Sequence, residues 1–256
     1  MIKKLINLNL LAILFYLSAN AQETTPTGYI SVGGGFNLPI GEYASTQAND
    51  NNAGYAKIGL HYQFTAAIPI AKSRFGVVAK AYLLSNELDE NALLANVIAS
   101  NPSSYNTSWT ISIDGGQKIN SYLGGLYYTI PLNKISIDFR AMAGLYEISV
   151  PFRSIELVVQ DASGTGFGNY YFNTTVKNSI AYDFGTSLRY SITNHFCLLL
   201  NVDLLRLDYE RETSQTASII YYPTNGQSTY ETQYSYDIST KPIALINCGL
   251  GFGYQF

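Results

Sequence analysis

The stretch ALINCGLGFGYQF, residues 244–256, alternates strictly between two kinds of side chain. Ala244, Ile246, Cys248, Leu250, Phe252, Tyr254 and Phe256 form an apolar set, and Leu245, Asn247, Gly249, Gly251, Gly253 and Gln255 lie between them. Successive side chains of a β-strand point to opposite faces, so period two reads as a strand with one apolar face and one face of glycine and amides. The same alternation recurs upstream in seven stretches: 29–38, 57–68, 75–83, 121–130, 135–145, 180–190 and 196–204. That makes eight strands.

The connections between them alternate in length. Tight turns span Pro69–Ser73, Pro131–Lys134 and Thr193–His195, whereas the stretches at about 41–53, 87–117, 151–177 and 208–241 are long and polar. Loops of that length are unusual inside a compact soluble domain. Short turns at one end and long loops at the other are the pattern of barrels that cross a membrane as strands. An even strand count puts both termini at the short-turn end. Within the second long loop, Leu88–Ala99 reads as a short helix with Asp89 and Glu90 favouring its N-terminus.

Composition narrows the function classes. Charged residues are 13% of the 256, against roughly 25% in an average soluble domain. The formal net charge of −3 argues against a nucleic-acid-binding surface, which is normally basic. Two Cys rule out a disulfide-rich scaffold. The N-terminus, MIKKLINLNLLAILFYLSANAQ, has Lys3 and Lys4, an apolar core from Leu5 to Leu17, and Ala19-Asn20-Ala21 before Gln22. This is the pattern of a cleaved signal peptide over residues 1–21. Its apolar run of about 13 residues is short of the ~20 that span a bilayer. Cleavage removes Lys3 and Lys4 and no acid, which moves the formal charge from −3 to −5.

Alternation alone does not say which face points outward. If the apolar face lined the interior, the chain would be a secreted lipocalin-like binder of apolar ligands. The other face would then have to serve as a soluble surface. It consists of Ser31, Gly33, Gly35, Asn37, Gly59, Gly76, Gly125, Gly144, Gly185, Gly249, Gly251 and Gly253 with few charges, well short of a solvated surface. Glycine and sparse ions suit a crowded barrel interior, and the apolar face suits lipid.

The paired hairpins, the PIGEY segment at residues 39–43 and the closing GLGFGYQF at 249–256 resemble a small OmpA/OmpX-type outer-membrane β-barrel, over almost all of residues 28–256. The resemblance implies an all-β fold: an eight-stranded antiparallel up-and-down transmembrane barrel formed by residues 22–256. It implies residence in the outer membrane, in contact with outer-membrane lipids and lipopolysaccharide. It also implies that Phe252, Tyr254 and Phe256 form the segment recognised by the outer-membrane insertion machinery. It is specific for architecture and location, not for activity.

The inward face of the expected strands carries Lys57, Lys80, Asp138, Arg140, Asp183, Arg189 and Asp203. An eight-stranded barrel is just wide enough for side chains to fill it, and buried charges must be paired. A structural ion-pair network filling the lumen follows, with Asp138, Arg140, Asp183 and Arg189 on neighbouring strands as expected partners. Tyr29, Tyr55, Tyr128, Tyr146, Tyr182, Tyr190 and Tyr254 fall near strand ends, as interfacial girdles do. Tyr221, Tyr222, Tyr230, Tyr234 and Tyr236 lie in the last long loop among Ser, Thr, Gln and Asn, a composition suited to an adaptable recognition patch or to a hairpin extending past the membrane. Cys197 and Cys248 have opposite parity, so free thiols are expected.

A lipid-modifying outer-membrane enzyme would need a nucleophile, a base and an orienting acid near the outer leaflet. His61 and His195 are the only histidines, and neither has a Ser or acid at a telling spacing. The reading is a monomeric barrel, not an enzyme, with no cofactor and no catalytic or metal residues. Its outer loops would carry any structural, binding or adhesion role toward an unknown extracellular partner.

Overall fold

A computed structural model describes residues 27–47, 53–71, 73–100, 106–161, 164–177, 180–224 and 226–256. The expected signal peptide, 1–21, lies outside them. The strands, in chain order, are β1 (Tyr29–Ile40), β2 (Gly59–Pro69), β3 (Phe75–Asn86), β4 (Asn106–Asp114), β5 (Gln117–Leu132), β6 (Ile135–Ser149), β7 (Phe152–Asp161), β8 (Gly164–Lys177), β9 (Ile180–Ser191), β10 (Phe196–Pro223) and β11 (Thr229–Gln255). Eight of them close into an antiparallel ring in the order β1, β2, β3, β5, β6, β9, β10 and β11. Closure is made by β11 against β1, from Tyr29 opposite Gln255 to Ile40 opposite Ala244. All eight ring strands fall on the stretches of period-two alternation. The β5–β6 turn is two residues long, with Asn133 at a φ of 58°, a left-handed conformation that Asn tolerates better than most side chains.

The faces settle the inside–outside question. Along β11, Ile243, Leu245 and Asn247 are buried, whereas Leu250, Phe252 and Tyr254 face out and Leu250 is 70% exposed. Around the ring the outward side chains are Val32, Phe36, Tyr62, Phe64, Val77, Leu126, Phe139, Phe184, Leu200 and their neighbours, while Asn37, Gln63, Thr65, Lys80, Thr129, Asp138, Arg140, Asn201 and Asp203 are buried inside. Large apolar residues outside and charges inside is the reverse of a soluble fold, and it removes the lipocalin-like reading. The belt ends where outward positions turn charged, at Glu87, Lys118, Glu147 and Arg206.

The stretches read as long polar loops are largely built of regular structure, and for 208–241 it is the hairpin extending past the membrane that the sequence left open. The stretch 87–117 holds helix α1 (Glu90–Ser100) and β4, and 151–177 holds β7 and β8. Most of 208–241 belongs to β10 and β11, paired from Asp208–Pro242 to Tyr221–Thr229. The reason is pairing beyond the membrane. β10 is 28 residues long, whereas about 9–11 residues cross a bilayer as a tilted strand. Its outer half is free to pair with β8, β8 with β7, and β7 with β4. The result is a five-stranded extension, β11–β10–β8–β7–β4, continuous with one wall of the barrel. It departs from the ring where Gly115 and Gly116 interrupt β4–β5 and Val150-Pro151 interrupts β6–β7 on the facing strand. Proline lacks the ladder N–H and Gly115 holds a φ of 82°, so both breaks are written in the local sequence.

Helix α1 forms as expected. Asp89 caps it, accepting a 3.1 Å hydrogen bond from the Ala92 N–H, and the helix packs against β4.

Candidate functional site

The lumen is filled by charged and polar side chains from β3, β5, β6, β9 and β10. Asp203 takes Lys80 Nζ at 2.6 Å on one carboxylate oxygen and Arg140 Nη2 at 2.6 Å on the other. β3 and β10 are four strands apart in a ring of eight, so the Lys80–Asp203 pair spans opposite walls of the barrel. A second group forms around Asp138, which accepts from Thr129 Oγ1 at 2.6 Å and lies 3.5 Å from Arg189 Nη2. Ser187 joins the two groups: its Oγ accepts from Arg140 Nη1 at 2.7 Å and donates to Asp138 Oδ2 at 3.4 Å. Arg189 stacks over Tyr29, and Lys80 lies over the Tyr82 ring.

Two members of the expected set stand apart from this arrangement. Lys57 has inward parity but precedes β2, so it lies exposed at the barrel mouth, 3.9 Å from Asp89. Asp183 is buried in the lumen, but among the described residues it forms no ion pair, because Arg140 pairs with Asp203 instead. The girdle expectation also needs correction. Tyr182, Tyr190 and Tyr254 face outward and Tyr128 is half-buried against Phe75, whereas Tyr29 and Tyr146 are buried by strand parity and Tyr55 is buried in the segment before β2. Tyr146 donates to the Asp208 carbonyl across the lumen mouth at 2.7 Å.

His61 lies inside, 1% exposed, edge-on to Tyr82 at 5.9 Å between ring centres. His195 is in the short β9–β10 turn, stacked on Tyr254. Cys197 and Cys248 are both free thiols, and the register sets them opposite Gly253 and Val202 respectively.

The outer extension gathers aromatic side chains that the sequence scattered. Tyr222, Tyr230, Tyr234 and Tyr236 are exposed on its outer face, with Tyr234 at 79%. Tyr221 is the exception: adjacent to Tyr222 in a strand, it points to the other face and is half-buried. Phe152, Phe167 and Tyr171 join the outer set from β7 and β8. Tyr171 stacks on Phe152, and Phe167 meets Tyr222 edge-on at 6.0 Å. These three were missed because 151–177 reads as polar loop. The available signal was the alternation of Phe167, Asn169 and Tyr171. Lys177 pins β8 to β10, with Glu210 at 2.8 Å and Glu212 at 2.6 Å. Those hydrogen bonds, Glu210 first, raise the Lys177 pKa above its ordinary value, and the Lys177 contact holds Glu212 below its own.

No protein-family model matches the chain, and no curated protein matches it in sequence. Among solved structures the chain is similar to neisserial surface protein A, at 10% identity and a TM-score of 0.44 over 90% of this chain and 97% of that one. It is similar to a major outer membrane protein from Thermus thermophilus, at 11% identity and a TM-score of 0.42 over 90% and 99%. It is also similar to the outer membrane protein OprG from Pseudomonas aeruginosa, at 13% identity and a TM-score of 0.34 over 91% and 98%. The closed ring of eight antiparallel strands, with its apolar outer belt and polar lumen, is the architecture of a barrel that crosses a membrane as strands.

Proposed function

We propose that the barrel is a monomeric, non-enzymatic anchor and that the extension is a surface-binding device, acting in adhesion or in recognition of an extracellular partner. The observation that carries this reading is the outer face of the extension. Seven aromatic side chains, Phe152, Phe167, Tyr171, Tyr222, Tyr230, Tyr234 and Tyr236, are exposed there, beyond the charged line that ends the lipid belt. Lipid covers the aromatics of the belt; among the described residues nothing covers these. Exposed apolar patches of this kind mark interaction sites, and Tyr supplies rigid, amphipathic contact area at low entropy cost.

Cells displaying the protein should be retained on at least one member of a panel of immobilised extracellular proteins and glycans. Changing Tyr230, Tyr234 and Tyr236 together to Ser should cut that retention at least tenfold while the unboiled protein keeps its folded, faster gel mobility. Equal retention by the triple variant would remove the role of this face.

The belt's partners in this reading are outer-membrane lipid and lipopolysaccharide, and Phe252, Tyr254 and Phe256 present the handle for the insertion machinery. The Phe256 side chain is 59% exposed, so it adds little to the finished barrel. Phe256→Ala should therefore lower the amount of assembled barrel several-fold in cells, with little change in the thermal stability of the molecules that do assemble. Unchanged assembly would show that recognition lies elsewhere.

A further inference from the structure

The inner face of the extension, opposite the aromatic face, carries a different chemistry. Where β7 and β10 rise above the barrel mouth and α1 lies beside them, two cavities of about 250 and 270 Å³ adjoin and share Leu93, Arg153 and Arg211 in their walls. The first is lined by polar groups and aromatic rings, among them Gln117, Tyr209 and Lys241. The second is lined mainly by apolar groups from α1, β4, β7 and β8: Val97, Ile111, Ile155 and Phe172.

Among the described residues, no acid pairs with either of the two arginines between them. Arg153 Nε and Arg211 Nε are buried without a hydrogen-bond partner, and among the described residues neither guanidinium makes an ion pair. Asp237 is the acid on this wall. It is exposed, pairs in register with Thr213 rather than Arg211, and forms no ion pair among the described residues. Glu210 and Glu212 are engaged by Lys177. Burial, and then the like charge of Arg211, lower the pKa of Arg153. Both side chains are half-buried and present like charge to the same two cavities, so an oxyanion entering between them relieves their repulsion and supplies the missing acceptor.

We infer that this pair of cavities binds a small amphipathic organic oxyanion, its carboxylate or phosphate head between Arg153 and Arg211 and its apolar body along Leu93, Val97, Ile155 and Phe172. The head chemistry follows from the planar donor fork of arginine, which matches such oxyanions with paired hydrogen bonds. The body follows from the lining of the second cavity. Together the two volumes approach the several hundred Å³ typical of small-molecule sites. The site stands apart from the outer aromatic face and does not depend on the function proposed for it.

The test uses the full barrel, purified from membranes into phosphatidylcholine nanodiscs, with octanoate as the probe and octanol and acetate as controls. Octanoate should bind at least tenfold more tightly than either control. Arg153→Met and Arg211→Met should each weaken octanoate by about tenfold or more, since a hydrogen bond to a charged group is lost. Arg153→Met should leave the unfolding temperature unchanged or raise it, which a structural ion pair would not allow. Leu93→Trp fills the cavity from α1 without touching either arginine and should abolish octanoate binding as well. Repeating the titration in nanodiscs containing lipopolysaccharide separates the sources of the anion. Undiminished octanoate affinity assigns the site to a free solute, and competition assigns it to a lipid headgroup. Octanoate binding no tighter than octanol, or unaffected by both arginine changes, overturns the inference.

Discussion

Asp203→Ala will lower the temperature at which the folded, fast-migrating band converts to the unfolded one by more than truncation of any other charged side chain in the lumen. Asp203 is the one acceptor shared by Lys80 and Arg140, at 2.6 Å from each, and the side chains of all three are almost fully buried. Removing it leaves two cations facing each other inside a barrel wall, where breaking a buried pair costs about 3–5 kcal/mol. The pair also crosses the barrel from β3 to β10, so the loss falls on the closed ring and not on one hairpin. A compensating variant separates charge imbalance from packing. Replacing all three together, as Lys80→Met, Arg140→Met and Asp203→Leu, keeps the volume and removes the charges, an exchange that is often neutral or stabilising. The triple variant should recover most of the lost stability. If Asp203→Ala melts like the parent, the network is not what holds the lumen together.

Gly185→Val should prevent most of the protein from reaching the folded band. Gly185 pairs in register with Asp203, and a Cβ at this position would overlap Asp203 Oδ1, the atom that receives Arg140. The wall cannot give way, because Gly185 also pairs with Arg140 on β6. Overpacking costs about 1–3 kcal/mol by itself. Displacing the carboxylate adds part of the cost of breaking the pair, so about 3 kcal/mol or more is expected. Gly124→Ala is the matched control: it sits on the outer face with nothing within 4 Å of its Cβ, and it should melt like the parent. A double-mutant cycle gives the sharper test. Once Asp203 is Ala, the carboxylate clash is gone and only the Cβ of residue 203, at 3.2 Å, still crowds Gly185→Ala, so its cost should shrink, and strict additivity would show that the two positions do not communicate.

Above the membrane, the same fold makes a surface with two sides. Aromatic rings stand on the outer face of the extension, and an unpartnered arginine pair stands on the inner face beneath α1. Both depend on β8, since Phe167 and Tyr171 complete the outer patch and Phe172 closes the inner cavity. The Lys177 contacts with Glu210 and Glu212 hold that strand to β10, which ties both surfaces to one exposed ion-pair cluster.

The eight ring strands, their short turns, the face that meets lipid and most of the charges that lie inside were legible from residue order alone. All of these follow from parity within a strand, a local property with a period of two residues. The helix at 90–100 was legible for a similar reason, because its cap and helix-forming residues are contiguous. Which side chains meet was left to the closed barrel. Lys80 and Asp203 are 123 residues apart and meet because ring closure sets β3 opposite β10, whereas parity left Asp183 an equal candidate. Parity also placed Lys57 inward, but β2 begins two residues later and leaves it in solvent. The strands of the extension were not legible, because they hold water-facing residues on one side and a small cavity on the other. They carry little apolar alternation, and they become strands because β10 continues past the belt and offers each neighbour an edge to pair with. Arg153 and Arg211, distant in a chain read there as loop, become neighbours through β8, whose Phe172 pairs with Arg153 and with Gln215 on β10.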